Sequence, residues 1–186
     1  HRAENATHHL TTLLNNLISE PLDNGNKNFL PSSIQIATID VGNTAANIIP
    51  ETAKATVNIR YNDLHNSKSL TEWMQKHIND VFDKIDKASC VFEVEANGES
   101  FLTEPGKLST LITKSISDAT GRNSKPELAT DGGTSDARFI KDYCEVVELG
   151  IRNQTLHQVD EFVFIEDIKM LQKVYLKLLE NYFNKI

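Results

Sequence analysis

Three short segments carry residue types that packing alone explains poorly. The first is Asp131-Gly132-Gly133-Thr134-Ser135-Asp136-Ala137-Arg138-Phe139. Two glycines ahead of a Thr-Ser pair can bring backbone N–H groups close to an anion where a helix begins. The same residues also suit a plain turn with Thr134 or Ser135 as N-cap. The second runs from Leu149 to Glu161 and contains Asn153, His157, Asp160 and Glu161. His157 is the only histidine of the back half, and Asp160 and Glu161 could orient an imidazole as acceptors behind it. A catalytic zinc site needs at least three protein ligands. No cluster at ligand spacing accompanies His157, so the spacing alone favours a surface or satisfied histidine. The third segment, Asn43 to Pro50, joins two expected strands and carries Asn47, either a turn former or an exposed amide donor. Just beyond it stands Arg60, which could hold a carboxylate through two parallel hydrogen bonds or remain a solvated surface cation.

Other chemistry-bearing residues lead nowhere. His8 and His9 are adjacent, about 100° apart around a helix, and cannot form an i,i+4 metal pair. Asn5-Ala6-Thr7 and Asn153-Gln154-Thr155 match the glycosylation sequon, and without a secretory signal both read as chance. Cys90 and Cys144 each lie in an apolar stretch, where buried reduced thiols are the expectation.

The elements that must position these residues follow from periodicity. Leu10, Leu13, Leu14, Leu17 and Ile18 mark a helix within residues 2–19, stopped by Pro21 and Asp23-Asn24-Gly25-Asn26. Residues 33–41 read as a strand. Residues 53–61 alternate, with Ala53, Ala55, Val57, Ile59 and Tyr61 on one face, as a half-buried strand does. Leu70, Trp73, Met74, His77, Ile78, Val81, Phe82 and Ile85 keep helical spacing, with Ser69 and Glu72 as the expected capping box. A third strand is expected over 89–96. The order helix, strand, strand, helix, strand describes a small α+β sandwich. After Asn97-Gly98 and Pro105-Gly106 the rhythm changes to a helix around Leu108–Ile116, a glycine-containing stretch, a strand over 144–149 and a last helix. That last helix carries Ile168, Leu171, Val174, Tyr175, Leu178, Leu179 and Tyr182 on one stripe, which suggests part of an α/β layer.

The bulk numbers set outer limits. The chain has 186 residues, 39% hydrophobic and 24% charged, with a formal net charge of -7, as globular proteins have. No run of Lys and Arg supplies the basic patch that nucleic acid requires. No stretch approaches the roughly 20 apolar residues that span a bilayer, so no membrane partner is expected and a cytoplasmic location is the default.

Taken together, Gly132 to Ile140, Val146 to Gly150 and Asn153 to His157 resemble the C-terminal signature of the succinyl-diaminopimelate desuccinylase family of co-catalytic zinc amide hydrolases. His1 to Asn5, Gln35-Ile36-Ala37, Asn47 to Pro50, Asn58 to Tyr61, Phe101-Leu102-Thr103 and Gly106-Lys107-Leu108 are similar to the same family in the same order. The resemblance implies a homodimer with two zinc (or cobalt) ions per subunit. It also implies a small-molecule substrate, N-succinyl-L,L-diaminopimelate, cleaved to succinate and L,L-diaminopimelate on the route to lysine and cell wall. Two cations would lower the pKa of a bridging water, and a glutamate would take its proton. In fold, residues 1–104 would be a ferredoxin-like two-layer dimerisation domain whose first strand precedes this chain. Residues 105–186 would be the last segment of a three-layer α/β catalytic domain. His157 would be a ligand to one metal. Asn47 and Arg60 would reach the substrate held by the partner subunit, and Gly133, Thr134 and Asn153 would bind substrate locally. The glutamate base, the oxyanion histidine and the other ligands are expected upstream, so this chain alone should be inactive and hold no metal or one weakly. His1 matches a later histidine of the family motif and does not inherit the oxyanion role. Ile151 and Arg152 depart from the family pattern before the asparagine. The alternatives are a related metal-dependent deacylase or peptidase acting on another acyl amino acid, and a non-catalytic dimerisation module.

Overall fold

A computed structural model describes residues 3–122, 125–130, 135–151, 154–156 and 158–183. The chain divides into two compact units, His1–Phe101 and Leu102–Ile186.

The first unit is a two-layer α+β arrangement. Helix α1 (Ala6–Ile18) begins at Asn5, whose Oδ1 accepts hydrogen bonds from the N–H groups of Thr7 and His8 at 3.0 and 3.3 Å. Strands β1 (Ser33–Asp40) and β2 (Lys54–Arg60) form an antiparallel pair. Helix α2 (Ser67–Phe82) follows. Leu13, Leu14 and Leu17 of α1 meet Met74 and Ile78 of α2 in one buried cluster, and Ile36, Ala55, Val57 and Ile59 of the strands pack against it. Both helices therefore cover one face of the strand pair, and the other face is wet.

The spacing of isoleucines in β1 changes from two to three residues along Ile34, Ile36 and Ile39. A strict period of two would turn Ile39 to the wet face. The register jumps instead, from Ile36 opposite Val57 to Thr38 opposite Thr56, leaving Ala37 as the extra residue of a bulge. Ile39 then lies opposite Ala55, beyond the edge of the buried cluster, and stays 55% exposed.

Three sequence expectations need correction here. The capping box of α2 is Asn66 with Ser69, not Ser69 with Glu72. Asn66 Oδ1 accepts from the Ser69 N–H at 2.8 Å, and Ser69 Oγ accepts from the Asn66 N–H at 3.1 Å. The helix starts one turn early because Asn66 already offers the cap. The third strand expected over 89–96 is not hydrogen-bonded to the sheet. Cys90 and Phe92 still lean on the core, so the alternation correctly reported a half-buried face without a ladder. The cysteines also differ from expectation. Cys90 is half-buried, with burial pushing its thiol pKa up, whereas Cys144 is exposed, and both are free.

The second unit is built on α3 (Lys107–Thr120) packed against α4 (Ile165–Phe183). Its buried apolar residues among those described are Leu111 and Ile112 of α3, Ala137, and Val174 of α4. The stripe of α4 is otherwise largely open: Ile168, Tyr175, Leu179 and Tyr182 are all exposed. The strand expected over 144–149 does not form, because a strand needs a hydrogen-bonded neighbour and none runs beside it among the described residues. The helix expected after the glycine pair is a single 3-10 turn, Asp136–Phe139, with Ser135 as its N-cap. No described helix is long and apolar enough to cross a membrane.

Candidate functional site

Arg60 is the last residue of β2, on its wet face. The burial of β2 alternates without a break, so Lys54, Thr56, Asn58 and Arg60 share that face while Ala55, Val57 and Ile59 turn inward. Arg60 pairs with Ser33, the first residue of β1, and Lys54 pairs with Asp40 at the other end. At about 3.3 Å per residue, Arg60 stands roughly 20 Å along the strand from Lys54. Its side chain has no ion pair or hydrogen bond among the described residues, an uncommon freedom in a chain with 26 acidic side chains.

Two hydrogen-bonded clasps fix the chain around Arg60. Tyr61, immediately after it, places its hydroxyl 2.8 Å from the Gly98 carbonyl and 3.1 Å from Glu99 Oε2. Burial, with the Glu99 carboxylate beside it, pushes the Tyr61 phenol up to about 12. The Glu99 carboxylate in turn accepts from the N–H and hydroxyl of Ser67, the first residue of α2. That hydrogen bonding is the largest influence on the Glu99 carboxyl and holds its pKa below the usual range.

The second clasp centres on Asp23. Its Oδ1 accepts from the N–H of Gly25 at 2.6 Å, the N–H of Ser32 at 3.2 Å and the side-chain amide of Asn62 at 2.8 Å. Its Oδ2 lies 3.2 Å from His65 Nε2. Ser32 Oγ accepts from the Asn62 N–H at 3.1 Å, and the Asn62 amide also donates to the Leu30 carbonyl. Asn62 is 3% exposed and the Asp23 side chain 8%. Burial works to raise the Asp23 pKa, but donation by Ser32, Gly25 and Asn62 outweighs it and brings the value down to about 2. Gly25 has φ +72°, and a Cβ there would meet the Phe29 carbonyl oxygen at 2.6 Å, so this turn admits only glycine.

Asn47 lies in the turn that closes the hairpin at its opposite end and is exposed. Asn43 braces that turn, its side-chain amide donating to the carbonyls of Ala45 at 3.1 Å and Ile48 at 2.9 Å. Asn47 itself makes no hydrogen bond among the described residues, which leaves its amide available. The register thus places Asn47 and Arg60 at the closed and open ends of the strand pair and does not bring them together.

In the second unit, Gly133, Thr134, Asn153 and His157 lie outside the described residues. Ser135 next to them is an ordinary cap, its Oγ accepting from the Ala137 N–H at 2.9 Å. Arg138 lies over the Phe139 ring, with its guanidinium carbon 4.7 Å from the centroid. Thr155 Oγ1 bonds the N–H and carbonyl of Phe162 at 3.0 and 2.9 Å. Tyr175 of α4 donates to the Leu149 carbonyl at 2.6 Å. Glu145 caps α3: its carboxylate accepts from the N–H groups of Lys107 and Leu108 at 3.3 and 2.7 Å. A Cβ at Gly106 would stand 2.6 Å from that carboxylate.

Residues 1–86 match the family model of the peptidase dimerisation domain. A desuccinylase named succinyl-diaminopimelate desuccinylase 1, from Ruegeria sp. strain TM1040, is 45% identical over 99% of this chain and 48% of its own length. The succinyl-diaminopimelate desuccinylases of Ruegeria pomeroyi and Caulobacter vibrioides are each 46% identical over 98% of this chain and 47% of their own. Along nearly its whole length the chain is similar to succinyl-diaminopimelate desuccinylases. It spans about half the length of the curated relatives it matches.

Among the described residues no group of three or more His, Cys, Asp and Glu could hold an ion. Two His–carboxylate pairs occur among them, His9 with Glu4 at 2.9 Å and His65 with Asp23 at 3.2 Å, and in the second the carboxylate is already taken by backbone and amide donors. The described residues of the desuccinylase-like chain therefore do not by themselves fit a metal site. Sequence reasoning missed both carboxylate caps and the Asp23 clasp. Asp23-Asn24-Gly25-Asn26 announced a turn, but nothing local joined it to Asn62, 39 residues on.

Proposed function

We propose that this chain is part of a homodimeric succinyl-diaminopimelate desuccinylase that hydrolyses N-succinyl-L,L-diaminopimelate to succinate and L,L-diaminopimelate in the cytoplasm. The observation that carries this reading is identity of 43–46% to desuccinylases over 98–99% of the chain. In this reading residues 1–104 form the dimerisation domain and 105–186 a segment of the catalytic domain. Arg60 and Asn47 reach the substrate in the partner subunit. Gly133, Thr134 and Asn153 contact substrate within their own subunit. His157 contributes one ligand toward zinc or cobalt, and the remaining ligands, the base and the oxyanion histidine belong to the part of the longer protein not in this chain.

The free guanidinium of Arg60 supports the assignment chemically. A substrate bearing several carboxylates needs planar, bidentate donors that no internal acid has already claimed. The exposed amide of Asn47 adds a neutral donor at the other end of the hairpin.

The test is hydrolysis by the full-length polypeptide of a panel of acyl amino acids that includes the succinylated diaminopimelate. Preference for another acyl group or a dipeptide would replace this reading by a related deacylase or peptidase. The 186-residue chain alone should show no turnover with added zinc. Metal analysis of full-length His157→Ala should show one equivalent lost, and unchanged stoichiometry would remove His157 from the ligand set.

A further inference from the structure

The Asp23 clasp sits where it can act on Arg60 without touching it. Arg60 and Ser33 form the last pair at the open end of the hairpin, where strand ends ordinarily fray. Here both chains are held one or two residues beyond that pair. Ser32, adjacent to Ser33, gives its N–H to the Asp23 carboxylate and receives the Asn62 N–H on its hydroxyl. Asn62, two residues past Arg60, places its side-chain amide on the same carboxylate. The cross-strand link from Asn62 to Ser32 thus continues past Arg60, and one buried carboxylate joins both halves of it.

The donors in this clasp come from the residues that flank the Ser33–Arg60 pair and from the turn that carries Asp23, and His65 Nε2 lies against the same carboxylate. The Arg60 side chain takes no part and has no acceptor among the described residues. A hairpin end locked this firmly beside a free guanidinium is what pre-organised recognition of an anion requires. The backbone is fixed in advance, so binding orders only the side chain.

We infer that Asp23 is a positioning residue for Arg60, holding the open end of the β1–β2 hairpin so that the guanidinium is presented to a substrate carboxylate. This rests on the reading of Arg60 as a substrate-binding group given above.

The test uses the full-length enzyme and steady-state kinetics with the succinylated substrate. Arg60→Ala first checks the underlying reading: KM should rise by about 10- to 100-fold, the range for losing charge-assisted hydrogen bonds. An unchanged KM would defeat that reading. Asp23→Asn keeps the shape and removes the charge. It should raise KM by about tenfold with kcat little altered, because what is lost is binding rather than the chemical step. Asp23→Glu should recover part of the loss. A merely structural role would reduce the amount of folded enzyme and so lower apparent kcat at constant KM, and that result overturns the proposal.

The pair Asp23→Asn and Arg60→Ala completes the cycle. Once Arg60 is gone, Asp23→Asn should have little further effect on KM. An undiminished Asp23→Asn effect in the Arg60→Ala background would show that Asp23 does not act through Arg60, even where Arg60 binds substrate. Should Asp23→Asn not fold, Ser32→Ala, which removes the acceptor for the Asn62 N–H, is read in the same cycle with the same two outcomes.

Discussion

The two units bury their helices to very different degrees. In the first, α1 and α2 contribute Leu13, Leu14, Leu17, Leu70, Met74 and Ile78 to a buried core, closed underneath by the strand pair. In the second, α3 and α4 pack on each other, yet α4 buries only Val174. Phe162, Phe164, Ile165, Leu176, Leu179, Tyr182 and Phe183 remain exposed. The stripe of α4 is as regular as that of α2. An amphipathic helix needs a layer to lie on, and periodicity alone does not provide one. The first unit carries its own layer, and the second covers its apolar residues incompletely with the residues described.

The sharpest way to break this comparison is to separate the units. Residues 1–101 alone are expected to unfold cooperatively in urea. Residues 102–186 alone should bind a hydrophobic dye such as ANS and show no cooperative transition. A cooperative transition in the second piece would mean that its open stripe is not a deficit.

Within the intact chain, Leu17→Ala should cost about 3 kcal/mol, because Leu17 is 1% exposed and its neighbours cannot collapse into the gap. Val174→Ala in the second unit should cost about 1 to 2 kcal/mol, the loss of two methyl groups in looser surroundings. Equal costs by urea titration would erase the contrast between the cores.

Asp23→Ala should cost about 2 kcal/mol at neutral pH, since it strips a buried carboxylate from several donors. The sign of its pH dependence follows from a folded pKa of about 2, below the ordinary value of 3.8. The contribution is fully present above the unfolded value and lost as pH falls from near 4 toward 2. The difference between wild type and Asp23→Ala should therefore shrink across that window and stay constant above it. A constant difference down to pH 2 would contradict the depressed pKa.

The smallest expected effect concerns a feature the two units share. Glu99 caps α2 and Glu145 caps α3, each from more than 30 residues downstream of the N–H groups it serves. Glu99→Ala and Glu145→Ala should each cost about 1 kcal/mol, the usual value of an N-terminal cap. For Glu99, whose pKa is lowered, that stabilisation is present above the ordinary glutamate range and fades as pH drops below it. If only one variant were destabilised by thermal melting, the two caps would not be equivalent devices.

The sequence by itself located the four helices and the strand pair to within a few residues. Helical spacing and strand alternation are local, and each is written in a dozen consecutive side chains. It also singled out Arg60 and Asn47, on residue type, position and family likeness, and the structure leaves both exposed with no partner among the described residues. Gly133, Thr134, Asn153 and His157 were named the same way and lie outside the described residues.

Only the tertiary structure decided the rest. Residues 89–96 and 144–149 have the composition of strands, yet a strand exists only where a neighbour completes its hydrogen bonds. The pairing of β1 with β2 alone places the bulge at Ala37, because uneven isoleucine spacing does not say which residue is the extra one. The caps by Glu99 and Glu145 and the Asp23–Asn62 clasp join residues 32 to 39 positions apart. No local propensity encodes such a pairing. It arises when packing brings a carboxylate within reach of backbone donors that would otherwise be left unpaired.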